Sequence, residues 1–149
     1  MKAFMKIGMV LFVAASLFAT TSCTEEFQVE ESQICGTWYF PLTLAPDTTT
    51  GFNWAGAEMI IKAPDTMWVN LEPGKTFFWT LRGNNVTGTW TNPHPTMDER
   101  YVVAFTVYEA TPNSLKITGK YRYIYHGENT VRGDISCTLS KTKPEVPEP

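Results

Sequence analysis

"SLKITGKYRYIYHGENTVRGDISCTLS", residues 114–140, decides how this chain folds. From Leu115, the positions Ile117, Gly119, Tyr121, Tyr123 and Tyr125 alternate with Lys116, Thr118, Lys120, Arg122 and His126, and Ile124 is the one break. A period of two is the signature of a strand with one dry face and one wet face. The second half repeats it, with Val131, Gly133, Ile135, Cys137 and Leu139 set against Thr130, Arg132, Asp134, Ser136 and Thr138. Between them, His126-Gly127-Glu128-Asn129 reads as a hairpin connection.

The same pattern extends toward the N-terminus. Tyr101 to Ala110 places Tyr101, Val103, Phe105 and Val107 on one face, and Thr111-Pro112-Asn113-Ser114 forms the turn that follows. Val86 to Thr91 and Thr76 to Arg82 flank the turn Gly83-Asn84-Asn85, with Phe77, Trp79 and Leu81 aligned. Asp65 to Leu71 and Glu58 to Lys62 flank Ala63-Pro64, Glu72-Pro73-Gly74 closes the other side, and Trp68 points outward between Met67 and Val69. With Gly36 to Leu42 the count reaches about eight antiparallel strands, an all-β chain that closes as an up-and-down barrel or packs as a sandwich. Closure removes the edges that make open sheets adhere to one another.

The N-terminal region has a different logic. Lys2 and Lys6 precede an uncharged run from Ile7 to Ala19 and a stretch of small polar residues, the layout of a secretory signal peptide over residues 1–22. A spanning helix needs about 20 apolar residues, so the run is too short to remain as an anchor. Losing Lys2 and Lys6 takes the formal net charge from −3 to −5. Such a surface does not suit nucleic acid, which calls for clustered Lys and Arg. Glu25, Glu26, Glu30 and Glu31 make residues 23–33 an acidic tether, residues 34–141 hold one domain, and residues 142–149 are a Pro-rich tail.

Two resemblances follow from these residues. Ser22-Cys23 after an apolar run resembles the lipobox of bacterial lipoproteins, in which the cysteine becomes the acylated first residue; Thr20 stands where the usual pattern has an aliphatic residue, as in a looser Gram-negative version. That resemblance implies an outer-membrane protein anchored through Cys23, periplasmic or surface-exposed, and the acidic residues beyond Cys23 resemble export signals to the cell exterior. Gly36-Thr37-Trp38 resembles the opening of lipocalins, where the tryptophan plugs one end of the barrel. Together with Gly88-Thr89-Trp90 and the C-terminal meander, it is similar to the lipocalin-like domains of bacterial lipoproteins, which implies an eight-stranded up-and-down barrel over residues 34–141.

Candidate chemistry is sparse. Thr43 to Ala57 is a long irregular segment carrying Phe52 and Trp54, and loops of this length are functional or mobile. Trp54 reads either as a lid or sugar-stacking platform over the mouth, or as a tryptophan folded onto the rim. His94 and His126 have no zinc spacing, and His94 reads as part of a surface turn. Asp98, Glu99, Glu109, Glu128 and Asp134 are not paired by anything in the sequence, and no nucleophile triad or phosphate loop is visible. Neither a cofactor nor a metal is called for.

Cys35 and Cys137 remain after Cys23 is assigned. An oxidising compartment permits a bridge between first and last strands, worth roughly 4 to 5 kcal/mol in the chain-entropy model. Side-chain parity opposes it unless Cys35 precedes the regular strand. Two functions stay in view. One is a cell-envelope binding module with a small apolar ligand in or at the mouth, walled by Tyr121, Tyr123 and Tyr125. The other is an accessory lipoprotein that binds a glycan or partner protein through its outer face near Trp68. An enzyme is a distant third.

Overall fold

A computed structural model describes residues 26–149; the signal segment 1–22 and Cys23 lie outside the described residues. A single helical turn, α1 (Glu31–Ile34), leads into β1 (Gly36–Tyr39), β2 (Glu58–Lys62), β3 (Thr66–Val69), β4 (Phe77–Arg82) and β5 (Asn85–Thr91). Three long strands follow: β6 (Glu99–Thr111), β7 (Ser114–Tyr125) and β8 (Glu128–Ser140). Each pairs antiparallel with the next, and β8 returns to β1 through Tyr39 and Ser140, so the eight strands form a closed up-and-down barrel.

The alternation read in residues 114–140 is realised over most of its length. Leu115, Ile117, Tyr121, Ile135 and Leu139 are buried, while Lys116, Lys120, Asp134, Ser136 and Thr138 are exposed. The hairpin is tighter than expected: Tyr125 pairs with Glu128, and His126 and Gly127 alone make the turn, with φ of 48° and 80°. Two consecutive left-handed residues match the twist of the strands they join.

Two bulges change which side chains face in. At Val107/Glu109 the extra residue is Tyr108, which is exposed, and Ala110 instead of Glu109 packs against the core. In β8, Tyr121 pairs with Gly133 but Arg122 pairs with Val131, leaving Arg132 as the extra residue. The expected faces of Val131 and Arg132 are therefore corrected. Val131 is exposed, and Arg132 leans over the rings of Tyr101 and Tyr123, because a bulge moves every residue beyond it to the opposite face.

β1 also stops earlier than its expected end at Leu42. The Phe40 amide donates to Ala57 O at 2.9 Å and its ring turns into the core, and Pro41 offers no donor to continue the ladder.

One end of the barrel is sealed by α1. Trp38 is fully buried and its Nε1 donates to Ile34 O at 2.8 Å, so the plugging tryptophan is tied to the turn that covers it. The interior above it is filled by Met59, Ile61, Met67, Phe77, Leu115 and Ile117, each at most 2 % exposed. Such density requires missing side chains elsewhere. A Cβ on Gly88 would stand 2.8 Å from Met67 Sδ, and one on Gly119 would stand 2.0 Å from Ala104 O.

These two kinds of glycine separate in a stability measurement. Gly119→Ala drives a methyl into backbone and is expected to cost about 3 kcal/mol or more, the upper range for overpacking. Gly127→Ala meets no atom within 4 Å and pays only for its left-handed φ, about 1 to 2 kcal/mol. Urea midpoints at constant m-value check the order, and a Gly119→Ala protein as stable as Gly127→Ala would refute the close approach of β6 and β7.

Candidate functional site

The end opposite α1 carries the β1–β2, β3–β4, β5–β6 and β7–β8 connections, and there the aromatic and charged residues converge. The first connection is a folded hairpin. Asp47 Oδ1 accepts from the amides of Thr49 and Thr50 at 2.9 and 2.8 Å, and the Thr50 hydroxyl lies 2.6 Å from Arg132 O on β8. The Thr50 contacts hold the Asp47 carboxyl below its ordinary range.

So pinned, the loop drives Trp54 into the mouth. Its indole is 3 % exposed, packed 4.6 Å from Phe40, 5.4 Å from Phe52 and edge-on to Tyr121 at 5.5 Å. A Cβ on Gly133 would come within 3.4 Å of its Nε1, so that glycine provides the slot the indole fills. Trp54 is thus folded onto and into the rim as a plug, and among the described residues its Nε1 has no hydrogen-bond partner.

The tyrosines of β7 grade from core to solvent. Tyr121 is fully buried, Tyr123 is half-buried and Tyr125 is 40 % exposed. The Tyr121 hydroxyl donates a hydrogen bond to Glu72 Oε1, while Glu72 Oε2 pairs with Lys75 Nζ at 3.2 Å. Burial first, and then the Glu72 carboxylate, push the Tyr121 hydroxyl far above the ordinary phenol range. The Tyr123 hydroxyl donates to Glu99 Oε1 at 3.0 Å, and Glu99 Oε2 accepts from Asn92 Nδ2 at 2.7 Å. The Asn92 bond leads in holding the Glu99 carboxyl below its ordinary range, with Tyr123, Lys75 and Arg132 adding to it.

Around them the rings stack. Tyr101 lies 6.0 Å from Tyr121 and 4.9 Å from Tyr123, and Tyr125 is nearly parallel to Tyr123 at 6.3 Å. Lys75 Nζ sits 5.0 Å from the ring centres of both Trp90 and Tyr101, and Arg132 Cζ sits 4.7 Å from Tyr123 and 5.6 Å from Tyr101. A cation over an aromatic face at these distances is attracted by the ring quadrupole. The rim is therefore a set of aromatic faces edged by two cations and two carboxylates.

Sequence reasoning reaches Trp54 and the three β7 tyrosines and misses Glu72, Lys75, Trp90 and Arg132 at this site. Tyr101 was legible in principle, since residue-by-residue pairing of β6 with β7 sets it opposite Tyr123. Glu72 and Lys75 belong to the turn between β3 and β4, which reads as a connection and nothing more.

Elsewhere the chain offers less. Trp68 faces outward as expected; its Nε1 donates to Thr76 Oγ1 at 3.0 Å, and it helps line a shallow outer cleft of about 180 Å³ with Ile60, Glu58 and Asn70. His94 sits in a connection with its Nδ1 2.9 Å from the Thr96 hydroxyl, and Asp134 pairs with Lys120 at 3.4 Å. Among the described residues no group of three or more His, Cys, Asp and Glu is placed to hold a metal ion.

The bridge that the sequence permits between Cys35 and Cys137 is not formed, and among the described residues both are free thiols. Cys35 does precede β1, but it lies four residues to one side of the Tyr39–Ser140 pair while Cys137 lies three residues to the other. That stagger separates them by roughly 20 Å along the seam, far beyond the span of a disulfide. Burial pushes the Cys137 thiol up to about 11. No protein-family model, curated protein or solved structure matches the chain.

The raised acids set the alkaline behaviour. Cys137 and Tyr121 ionise near 9.0 and 10.0 when unexposed to such effects, and both are held protonated in the fold. The unfolded chain releases these protons first as pH rises, so the two groups leave stability unchanged from neutral pH to about pH 9 and lower it above. The double variant Cys137→Ser/Tyr121→Phe should flatten that limb in urea midpoints taken between pH 8 and about pH 11. At neutral pH, Tyr121→Phe should itself cost about 1 to 3 kcal/mol by leaving Glu72 short of a donor.

Proposed function

We propose that the mature protein is a lipid-anchored binding module of the cell envelope, lipocalin-like in type, that holds a small ligand at the mouth of its barrel. The observation that carries this reading is the contrast between the two regions of the molecule. Below Trp54 and Tyr121 the barrel is packed with side chains, whereas above them Tyr101, Tyr123 and Tyr125 present rings at a rigid, polar-edged rim. Rings with polar tips supply contact area at small conformational cost, which suits recognition of a small amphipathic molecule. The ligand thus rests at the mouth and not inside, and the protein binds without carrying out a reaction. Attachment to the outer membrane through Cys23 rests on the lipobox resemblance, since several acyl chains, at about 0.8 kcal/mol per buried methylene, hold a domain firmly.

A second reading places recognition on the outer face. It is favoured by Phe78, 59 % exposed, on β4 and paired with Thr66 of β3, the strand that carries Trp68. Amide chemical-shift mapping with a library of aromatic fragments and aryl glycosides distinguishes the two. Perturbations centred on Tyr101, Tyr123 and Tyr125, lost in Tyr123→Ala, are expected. Perturbations centred on Trp68 and Phe78 would transfer the function to the outer surface.

The anchor has its own test. Wild type should incorporate radiolabelled palmitate and fractionate with outer membranes, and Cys23→Ala should lose both. Equal labelling of the two proteins would rule the lipoprotein reading out.

A further inference from the structure

Four charged side chains contact the aromatic residues of the mouth, and three of them have a hydrogen-bonded or ion-paired partner within the fold. Glu72 accepts from Tyr121 on one oxygen and pairs with Lys75 on the other. Glu99 accepts from Tyr123 on one oxygen and from Asn92 on the other. Lys75 is committed to Glu72. Arg132 differs. Among the described residues its guanidinium has no carboxylate within 4.0 Å and donates no side-chain hydrogen bond, although it is held over the rings of Tyr123 and Tyr101.

That placement is built by the backbone. The β8 bulge turns Arg132 out of the alternation and over the mouth, and its own carbonyl is fixed by the Thr50 hydroxyl at 2.6 Å. Attraction to ring faces uses the charge of a guanidinium but none of its five N–H donors, so the fork stays unspent. A planar fork of this kind matches two oxygens of a carboxylate, phosphate or sulfate, and such bonds are about twice as strong as neutral ones.

We propose that the ligand held at the mouth is an anion, with a carboxylate or similar oxyanion received edge-on by Arg132 while the rest of the molecule lies against Tyr123 and Tyr125. This rests on the mouth-binding reading and adds the charge of its ligand. Glu99 feels the charge of Arg132 but takes its hydrogen bonds from Asn92 and Tyr123, and no ion pair within 4.0 Å joins it to Arg132 among the described residues. Lys75, paired with Glu72, supplies a second positive charge over Tyr101 without being the group that docks.

The test uses two matched pairs that differ in one charge: p-nitrophenyl β-glucuronide against p-nitrophenyl β-glucoside, and indole-3-acetate against indole-3-acetamide. Affinities are taken by calorimetry on wild type, Arg132→Gln, Arg132→Lys and Lys75→Gln, with urea midpoints confirming that each variant is folded. In wild type the anion of a pair should bind at least about tenfold more tightly than its neutral partner at low salt, and the advantage should shrink as ionic strength rises. Arg132→Gln should erase the preference within each pair, Arg132→Lys should retain part of it, and Lys75→Gln should retain most of it. Equal affinity within both pairs overturns the proposal and leaves mouth binding standing. A preference that survives Arg132→Gln overturns the assignment to Arg132, and no binding by any of the four compounds sinks the mouth reading with it.

Discussion

The indole of Trp54 against the bare backbone of Gly133 is the contact on which the upper half of this barrel depends. β1 is only four residues long and meets β8 at a single pair, so main-chain hydrogen bonds alone close very little of the seam. Side chains close the rest. Phe40, Phe52 and Trp54 come from the segment that follows β1 and pack across the gap onto Tyr121, while Thr50 fastens the same segment to the β8 backbone. A barrel with so short a first strand holds together at this end because its longest connection folds inward and behaves as a ninth layer of core.

That arrangement fixes what the mouth has to offer. With an indole and a phenol filling the entrance, the barrel's depth is packed core, and the surface left at this end is whatever stands above the plug. The rings there are not free to rearrange. Tyr123 is tied to Glu99, Tyr101 packs against both Tyr121 and Tyr123, and cations lie over both Tyr101 and Tyr123. On the proposed mouth-binding reading, side chains fixed before a ligand arrives would remove an entropy cost from binding.

How far the sequence discloses this depends on the period of each element. The long strands β6, β7 and β8 were legible to within a few residues because burial on one face writes an alternation that few other structures produce. The Gly-Thr-Trp opening disclosed the closed end, where Trp38 is indeed buried against α1. What escaped was anything set by a single inserted residue or by a long connection. A bulge leaves the composition of a strand unchanged while reversing the facing of everything beyond it, so Arg132 read as an outward residue and Val131 as an inward one. In the same way Trp54, embedded in a run of Pro, Asp, Thr and Gly, carried no periodic neighbour to reveal that it lies in the core. The stagger of the seam, which decides that Cys35 and Cys137 stand apart, is a property of barrel closure that no local pattern encodes.

The two departures from regular alternation are themselves informative about where constraint is relaxed. Both bulges occur in the long meander, one at Tyr108 toward the α1 end and one at Arg132 toward the mouth. Strands of twelve or thirteen residues must bend to follow a narrow barrel, and an extra residue is the least disruptive way to bend them. At Tyr108 the displaced side chain goes to solvent. At Arg132 it lands on two tyrosines, because β6 and β7 happen to present their rings at that height. A geometric requirement of closure thus becomes the means by which a charge is delivered to an aromatic rim, and the chemistry of the mouth follows from the mechanics of the wall.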